Sequence, residues 1–329
     1  MRTLTLSDYE LLERLFSTGP REMLQVLTKY LRTKYDKVVQ TKDYVYAIGE
    51  QSEVALVAHL DTVYARPVKD LYYDQTKGVL WSPDGLGADD RAGVFAIIKI
   101  IEGQLRPSII FTMEEETGGL GALALSKLTC PFPNLKYIIE LDRRGSDDCV
   151  FYDCYNPDFV KYIESFGFVE RFGSFSDISI LCPAWKICGV NLSIGYEDEH
   201  SISETLHIAP LFATIKKVKK MVVAKDIPFF TYKDRLEVMN QGDNWYSNLT
   251  YDYGDYISSM AHCVKCGHLF SEYELFPVKS GNSIKYYCPD CVTGNVKWCV
   301  RCQEPYETAT SKDNKYCDDC VEEAMKVKA

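Results

Sequence analysis

Four short apolar runs in the first 200 residues each lead into an ionisable side chain. Val54 to Ala58 is followed by His59-Leu60-Asp61, and Ser108 to Thr112 by Met113-Glu114-Glu115-Glu116. Tyr137 to Ile139 leads into Glu140-Leu141-Asp142. Ile187 to Ile194 leads into Gly195-Tyr196-Glu197-Asp198-Glu199-His200. Runs of this length without alternation read as strands buried on both faces, the pattern of a parallel sheet. Helical spacing follows from Arg91 to about Glu102, from Leu120 to Lys127 and from Pro210 to Val223. Strands alternating with helices predict an α/β fold: a mainly parallel open sheet with helices on both faces. In such sheets the site lies beyond the carboxyl ends of the strands, where these polar residues converge.

Upstream, Leu11 to Tyr35 has helical spacing broken at Gly19-Pro20, and Lys37 to Gln40 with Tyr44 to Ile48 reads as a hairpin. A length of 329 residues predicts about two domains. We place an α/β domain at 1–225, a connector rich in Tyr and Asp at 226–260, and two cysteine modules at 261–293 and 294–329. A net charge of −10 argues against a nucleic-acid or anionic-membrane binder. No apolar run approaches the ~20 residues that span a bilayer. The N-terminus lacks the apolar region of a signal peptide. The expectation is a cytoplasmic protein with no membrane segment.

Two His, two Asp and a Glu at one sheet edge form a ligand set suited to zinc, cobalt or manganese. It has the make-up of a two-metal hydrolase site. Each piece alone has a bland reading. A His-x-Asp is usually incidental, a run of Glu is usually a solvated face, Asp89-Asp90 can cap a helix, and Asp142 can form a turn. The joint order carries the weight, because the chain has only five histidines and two of them fall at strand ends.

His59-x-Asp61, then Leu86-Gly-Ala-Asp-Asp-Arg-Ala-Gly93, then Glu114-Glu-Glu-Thr-Gly118, then Asp142, then a late His200, resembles the di-zinc exopeptidase superfamily. That group includes aminopeptidases, the tripeptidase known as peptidase T, and glutamate carboxypeptidases. Ser174 to Leu181, with its Ser176-Asp177, resembles the stretch before the last ligand in the lid-less aminopeptidases. The resemblance covers 1–225. It implies that His59 and Asp142 bind one metal, that Glu116 and His200 bind the other, and that Asp89 bridges them. Asp61 would hold the His59 imidazole. Glu115 would be the general base, taking a proton from water and returning it to the leaving amine. A register one residue earlier would make Glu114 the base and Glu115 the ligand. The later register is favoured by Thr117-Gly118. The implied cofactors are two catalytic zinc ions, with cobalt or manganese as alternatives. The implied substrate is a peptide or an acyl-amino compound.

Many relatives insert a lid of about a hundred residues before the last His, but only 57 residues separate Asp142 from His200 here. An open site follows, without groups that a lid supplies. Arg143 and Arg144 can bind a substrate carboxylate instead, or can pair with Glu140, Asp147 or Asp148. Tyr196 is a weak candidate for an oxyanion donor, and His207 reads as a surface or helix-entry residue.

Thirteen cysteines split into five scattered (Cys130, Cys149, Cys154, Cys182, Cys188) and eight in four Cys-x-x-Cys pairs. The scattered five read as reduced and partly buried. Cys263/Cys266 and Cys288/Cys291 are separated by 21 residues, and Cys299/Cys302 and Cys317/Cys320 by 14. Without a secretory signal such pairs read as metal ligands. Two sets of four thiolates make two structural zinc sites, which would supply much of this segment's folding energy. Sequential pairing is the simpler topology, and a cross-brace is open. The modules resemble tandem zinc ribbons. Nine Lys and Arg against ten Asp and Glu over 261–329 disfavour nucleic acid, which leaves a protein partner as the preferred reading. The competing reading of the whole chain is a non-catalytic binding protein built on a peptidase-like scaffold.

Overall fold

The computed structural model describes residues 4–49, 53–234, 260–265, 269–271, 275–280, 283–292, 296–299, 305–307, 315, 317 and 320. The chain divides into two compact units, 1–242 and 243–329. In the first unit it runs through α1 (Leu6–Ser17), α2 (Pro20–Arg32), β1 (Val38–Gln40), β2 (Tyr44–Ala47), β3 (Val54–His59), β4 (Tyr72–Asp74) and β5 (Val79–Trp81). There follow α3 (Ala88–Ile101), β6 (Ser108–Thr112), α4 (Leu120–Ser126), β7 (Tyr137–Arg143), β8 (Asp148–Val150), α5 (Pro157–Glu164) and β9 (Val169–Glu170). The unit closes with α6 (Asp177–Trp185), β10 (Cys188–Ser193), β11 (Tyr196–Glu197), β12 (Thr205–His207) and α7 (Ile208–Val222).

Eight strands form the main sheet in the order β1-β2-β6-β3-β7-β10-β8-β9. The four central strands β6, β3, β7 and β10 are mutually parallel. β1, β2 and β8 join antiparallel. Every residue of β3, β6 and β10 is buried, as expected of strands covered on both faces. One group of helices is α1, α3 and α7, with α3 lying on β3 and β7. The other is α4 with α6, which packs on β7 and β10. This is the mainly parallel sheet, covered on both faces, that the sequence pattern predicts. The scattered cysteines belong to this packing: Cys149, Cys154, Cys182 and Cys188 are buried and Cys130 is half-buried.

A second, antiparallel sheet (β11-β12-β5-β4) sits beside the site and is not expected from the sequence. Its strands are two or three residues long, too short to show a period. Beyond α7, Ile227, Phe230 and Tyr232 are buried in the core of the first unit. Bridges pair Ile187 with Thr231 and Cys154 with Asp234.

The second unit contains β13 (Met260–His262), β14 (Leu269–Ser271), β15 (Phe276–Ser280), β16 (Ser283–Tyr287), α8 (Pro289–Val292), β17 (Val296–Trp298) and β18 (Pro305–Glu307). A single sheet in the order β16-β15-β18-β17 is shared by the two cysteine modules. Its apolar clusters are small, and cysteines contribute to both. The expected helical or frayed tail at 321–329 lies outside the described residues. Among the described residues no helix is long and apolar enough to cross a membrane.

Candidate metal centre

The ends of the parallel strands deliver the site. His59 is the last residue of β3. Glu115 and Glu116 lie just beyond β6. Asp142 is the penultimate residue of β7. Asp89 enters from the start of α3, where Asp89 and Asp90 depart from helical geometry (φ −75°, ψ 105° and φ −114°, ψ 38°). His200 comes from the loop after β11.

Two triads result, and they share Asp89. Asp89 Oδ1 lies 3.0 Å from His59 Nε2, which is 3.6 Å from Asp142 Oδ1. Asp89 Oδ2 lies 3.1 Å from His200 Nε2, which is 3.0 Å from Glu116 Oε2. Within each triad the donor atoms all fall within 4.8 Å of one another. Ligands at about 2.0–2.2 Å around a tetrahedral metal sit roughly 3.3 Å apart, so each triad has the spacing of a metal's ligand face. A carboxylate that offers one oxygen to each triad has the geometry of a bridge. The donor set of imidazole and carboxylate fits zinc, cobalt or manganese.

The electrostatics ask for positive charge. Asp61, Asp89, Asp90, Glu115, Glu140, Asp177 and Glu204 are all buried, and among the described residues only His59 and Arg91 are buried with them as cationic partners. Burial works to lower the His59 pKa, but Asp142, Asp61 and Asp89 outweigh it and hold the value well above normal. Hydrogen bonds to Asp89 and Glu116 push His200 up to about 11. Burial raises Asp142 to about 7, helped by the charge of Asp89 and opposed by His59. Burial also raises Glu115 to about 9, opposed by His59 and reinforced by Asp142, Asp177 and Glu116. A pair of divalent cations would supply the charge that protons otherwise provide, and would favour the ionised carboxylates.

The neighbouring side chains fix these positions. Asp61 Oδ1 lies 3.5 Å from His59 Nδ1, long for a hydrogen bond, and Nδ1 has no other partner. The two Asp61 oxygens also accept from the backbone N–H groups of Glu115 and Glu116, each at 3.2 Å. The structure groups Glu116, not Glu115, with Asp89 and His200. Glu114, at φ 61°, faces Arg21 at 3.7 Å. The Tyr196 hydroxyl donates to Asp142 Oδ1 at 3.0 Å, so it is engaged with a site carboxylate. Asn191 brackets the Asp142 backbone: its Oδ1 accepts from the N–H at 2.9 Å and its Nδ2 donates to the carbonyl at 2.6 Å.

Arg143 lies 4.0 Å from Asp148, and Arg144 pairs with Glu199 at 3.0 Å. Both therefore have acidic partners, one of them not foreseen. His207 stands at the N-cap of α7, as a helix-entry residue. Several buried site residues have no metal-binding or catalytic role in the sequence reading. Asp90 accepts from Gly93 N–H at 2.9 Å. Glu140 accepts from the Ser176 hydroxyl, and Asp177 from the Thr112 hydroxyl. Glu204 accepts from Gly87 and Asp89. Asp177 lies in the Ser-Asp stretch already noted, but Glu204 has no local signal at all.

In the second unit, Cys263, Cys288 and Cys291 form one cluster, and Cys299, Cys317 and Cys320 another. These groupings follow sequential pairing rather than a cross-brace. Both clusters are consistent with zinc binding. Cys266 and Cys302 lie outside the described residues.

No protein-family model matches the chain, and no curated protein matches it at a significant level. Solved structures do. A tripeptidase from Staphylococcus aureus subsp. aureus Mu50 superposes with TM-score 0.52 at 14% identity, covering 67% of this chain and 98% of that one. A TET aminopeptidase from a marine-sediment archaeon of the Thaumarchaeota gives TM-score 0.54 at 14% identity, covering 68% and 98%. The aminopeptidase PepT from Bacillus cereus ATCC 10987 gives 0.50 at 16% identity, covering 67% and 97%. At these identities the likeness is one of fold, and it is the fold that the sequence resemblance implied.

Proposed function

We propose that the first unit is a di-metal hydrolase that cuts an amide bond at the end of a peptide or in an acyl-amino compound. The observation that carries this reading is the pair of triads sharing Asp89, with one carboxylate oxygen directed to each. The similar folds of a tripeptidase and of aminopeptidases support a peptide substrate. His59 and Asp142 would hold one metal and Glu116 and His200 the other, with Asp89 offering an oxygen to each. When bound, such a pair polarises a scissile carbonyl and lowers the pKa of water. Asp61 orients the His59 ring and, through its two backbone hydrogen bonds, the turn that presents Glu115. The Glu115 carboxylate, beside the triads and in neither of them, accepts the proton of the attacking water and delivers it to the leaving amine. Tyr196 fixes the orientation of Asp142.

In the second unit we assign structural zinc to Cys263, Cys266, Cys288 and Cys291, and to Cys299, Cys302, Cys317 and Cys320. The near balance of charge in this segment supports recognition of a protein rather than of nucleic acid. A salt-dependent shift of nucleic acid at sub-micromolar protein would overturn that assignment.

Elemental analysis of the purified full chain tests the central reading. About four metals per chain are expected, together with hydrolysis of short peptides that chelation abolishes and zinc, cobalt or manganese restores. About two metals, with no further uptake of any of the three, would reject it.

A further inference from the structure

The two triads differ in how they are held. His59 and Asp142 lie in the adjacent parallel strands β3 and β7, each two residues beyond the last ladder pair Val57 and Glu140, so the sheet holds both of them close to its hydrogen-bonded register. His200 has no such support. It lies in an irregular loop, its backbone is left-handed (φ 61°), and its side chain is half exposed. Its partner Asp89 projects from a turn in which Gly85 and Gly87 take φ +92° and +67°. Gly87 stands at the N-cap of α3 and has no side chain to accept from the N–H groups of its turn; Asp90 accepts only from Gly93 N–H, further along.

Acceptors for the N–H groups of the Gly87–Asp89 turn come from the His200 loop. One Glu204 oxygen accepts from Gly87 N–H at 2.7 Å, and the other accepts from Asp89 N–H at 3.0 Å. Glu204 is 1% exposed and stands four residues beyond His200. Tyr64, from the segment after β3, adds a second tie by donating its hydroxyl to the Ser201 carbonyl at 2.5 Å. The bidentate carboxylate therefore joins the backbone that carries Asp89 to the loop that carries His200. A negative charge at a helix N-terminus is favourable in itself, so a pure cap is the bland reading. The asymmetry between the triads separates the two. A cap stabilises the whole unit, whereas a clamp sets the distance between His200 and Asp89.

Building on the two-metal reading, we propose that Glu204 is a positioning residue for the Asp89–Glu116–His200 site. It fixes the His200 loop against the Asp89 turn and leaves the His59 site to the sheet. Loss of the clamp weakens the metal held by His200 and spares the one held by His59.

Manganese titration of the full chain, followed by the loss of the free-ion EPR signal, tests this directly. Manganese prefers oxygen and imidazole donors and does not compete for the thiolate sites. The wild type is expected to take up two manganese ions. Glu204→Ala should bind one as the wild type does and the second about 10- to 100-fold more weakly, the range for loss of a group that orients a ligand. Glu204→Gln keeps the size and one acceptor, and should shift the same ion by less, which covers the case in which the alanine variant does not fold. In a His200→Ala background, Glu204→Gln should leave the remaining ion unchanged, because the coupling runs through His200. Wild-type binding of both ions in the Glu204 variants, equal weakening of both, or an effect that persists without His200 would overturn the clamp while leaving the two-metal reading intact. A wild type that takes up neither manganese nor zinc in the first unit would remove both.

Discussion

The sharpest perturbation is Glu115→Gln. Glu115 is 9% exposed, and its backbone N–H is held by Asp61 at 3.2 Å. An isosteric amide can occupy the same volume without moving that turn. Glu115 donates to neither triad, so both sets of donors survive and the metal content should not change. What is lost is the proton acceptor. General-base catalysis contributes about 10²–10⁴-fold, equal to about 3–5 kcal/mol of barrier. Turnover of a peptide substrate should fall by that factor in kcat at an unchanged count of about four metals per chain. Glu114→Gln is the contrast. Glu114 is 40% exposed at the side chain and makes only a 3.7 Å contact with Arg21, a surface pair worth at most about 1 kcal/mol. Its removal should leave kcat within about twofold. The paired assay is steady-state kinetics with elemental analysis on the same samples. Loss of one metal in Glu115→Gln would make Glu115 a ligand and shift the register. Full activity with both metals bound would refute the base assignment.

Asp89→Ala removes the only side chain shared by the two triads, so the first unit should lose both metals, read as a fall from about four to about two per chain. Retention of all four would exclude a bridge. Strong chelation should unfold the second unit, whose apolar clusters are small, while the first keeps its sheet; protease cleavage confined to 260–329 is the readout. Asp8 gives a pH test far from the site. Burial works to raise its pKa, but hydrogen bonds from Thr5 and Lys99 and the Lys99 charge outweigh this and hold it below 3.8. A depressed folded value means that its stabilisation is full above the unfolded pKa and is lost as pH falls through the folded one. Asp8→Asn should therefore lower the melting temperature at pH 7, and the difference should shrink as the pH falls below 3.8; an effect that does not change with pH would contradict the ion pair.

The central sheet is legible because strands buried on both faces open with apolar runs, and β3, β6, β7 and β10 each carry one before or around their polar residues. The start of α3 is less so. The spacing predicts helix from Arg91, and regular helical geometry begins there; the turn at Ala88 that precedes it is set off by Asp89 and Asp90, whose backbone angles are not helical, and the left-handed Gly87 before it leaves no side-chain signal. α5 carries a readable start in Asn156-Pro157 but little length, and α6 holds Pro183, which masks its period. The principal donors were visible as polar breaks at strand ends. Glu204 was not, because a buried carboxylate is defined by partners distant in sequence. Glu204 meets Gly87 across 117 positions.

The Leu86 to Gly93 segment shows how motif spacing becomes geometry. Its last glycine has no special backbone angle, so conformational freedom does not explain it. A Cβ at Gly93 would lie 2.5 Å from the carbonyl oxygen of Leu141 and against the Asp90 carboxylate. Helix α3 is thus pressed onto β7 at the residue before Asp142, with Asp90 folded back to accept from Gly93 N–H at 2.9 Å. An ordinary contact for that Cβ would be about 3.4–4 Å, so any side chain there must drive α3 and β7 apart by roughly 1 Å. Asp89 rides on one of those elements and Asp142 on the other, and both must stay close to His59 Nε2. The glycine therefore acts at a distance from the ligands: its missing side chain sets the separation of the two elements that carry them.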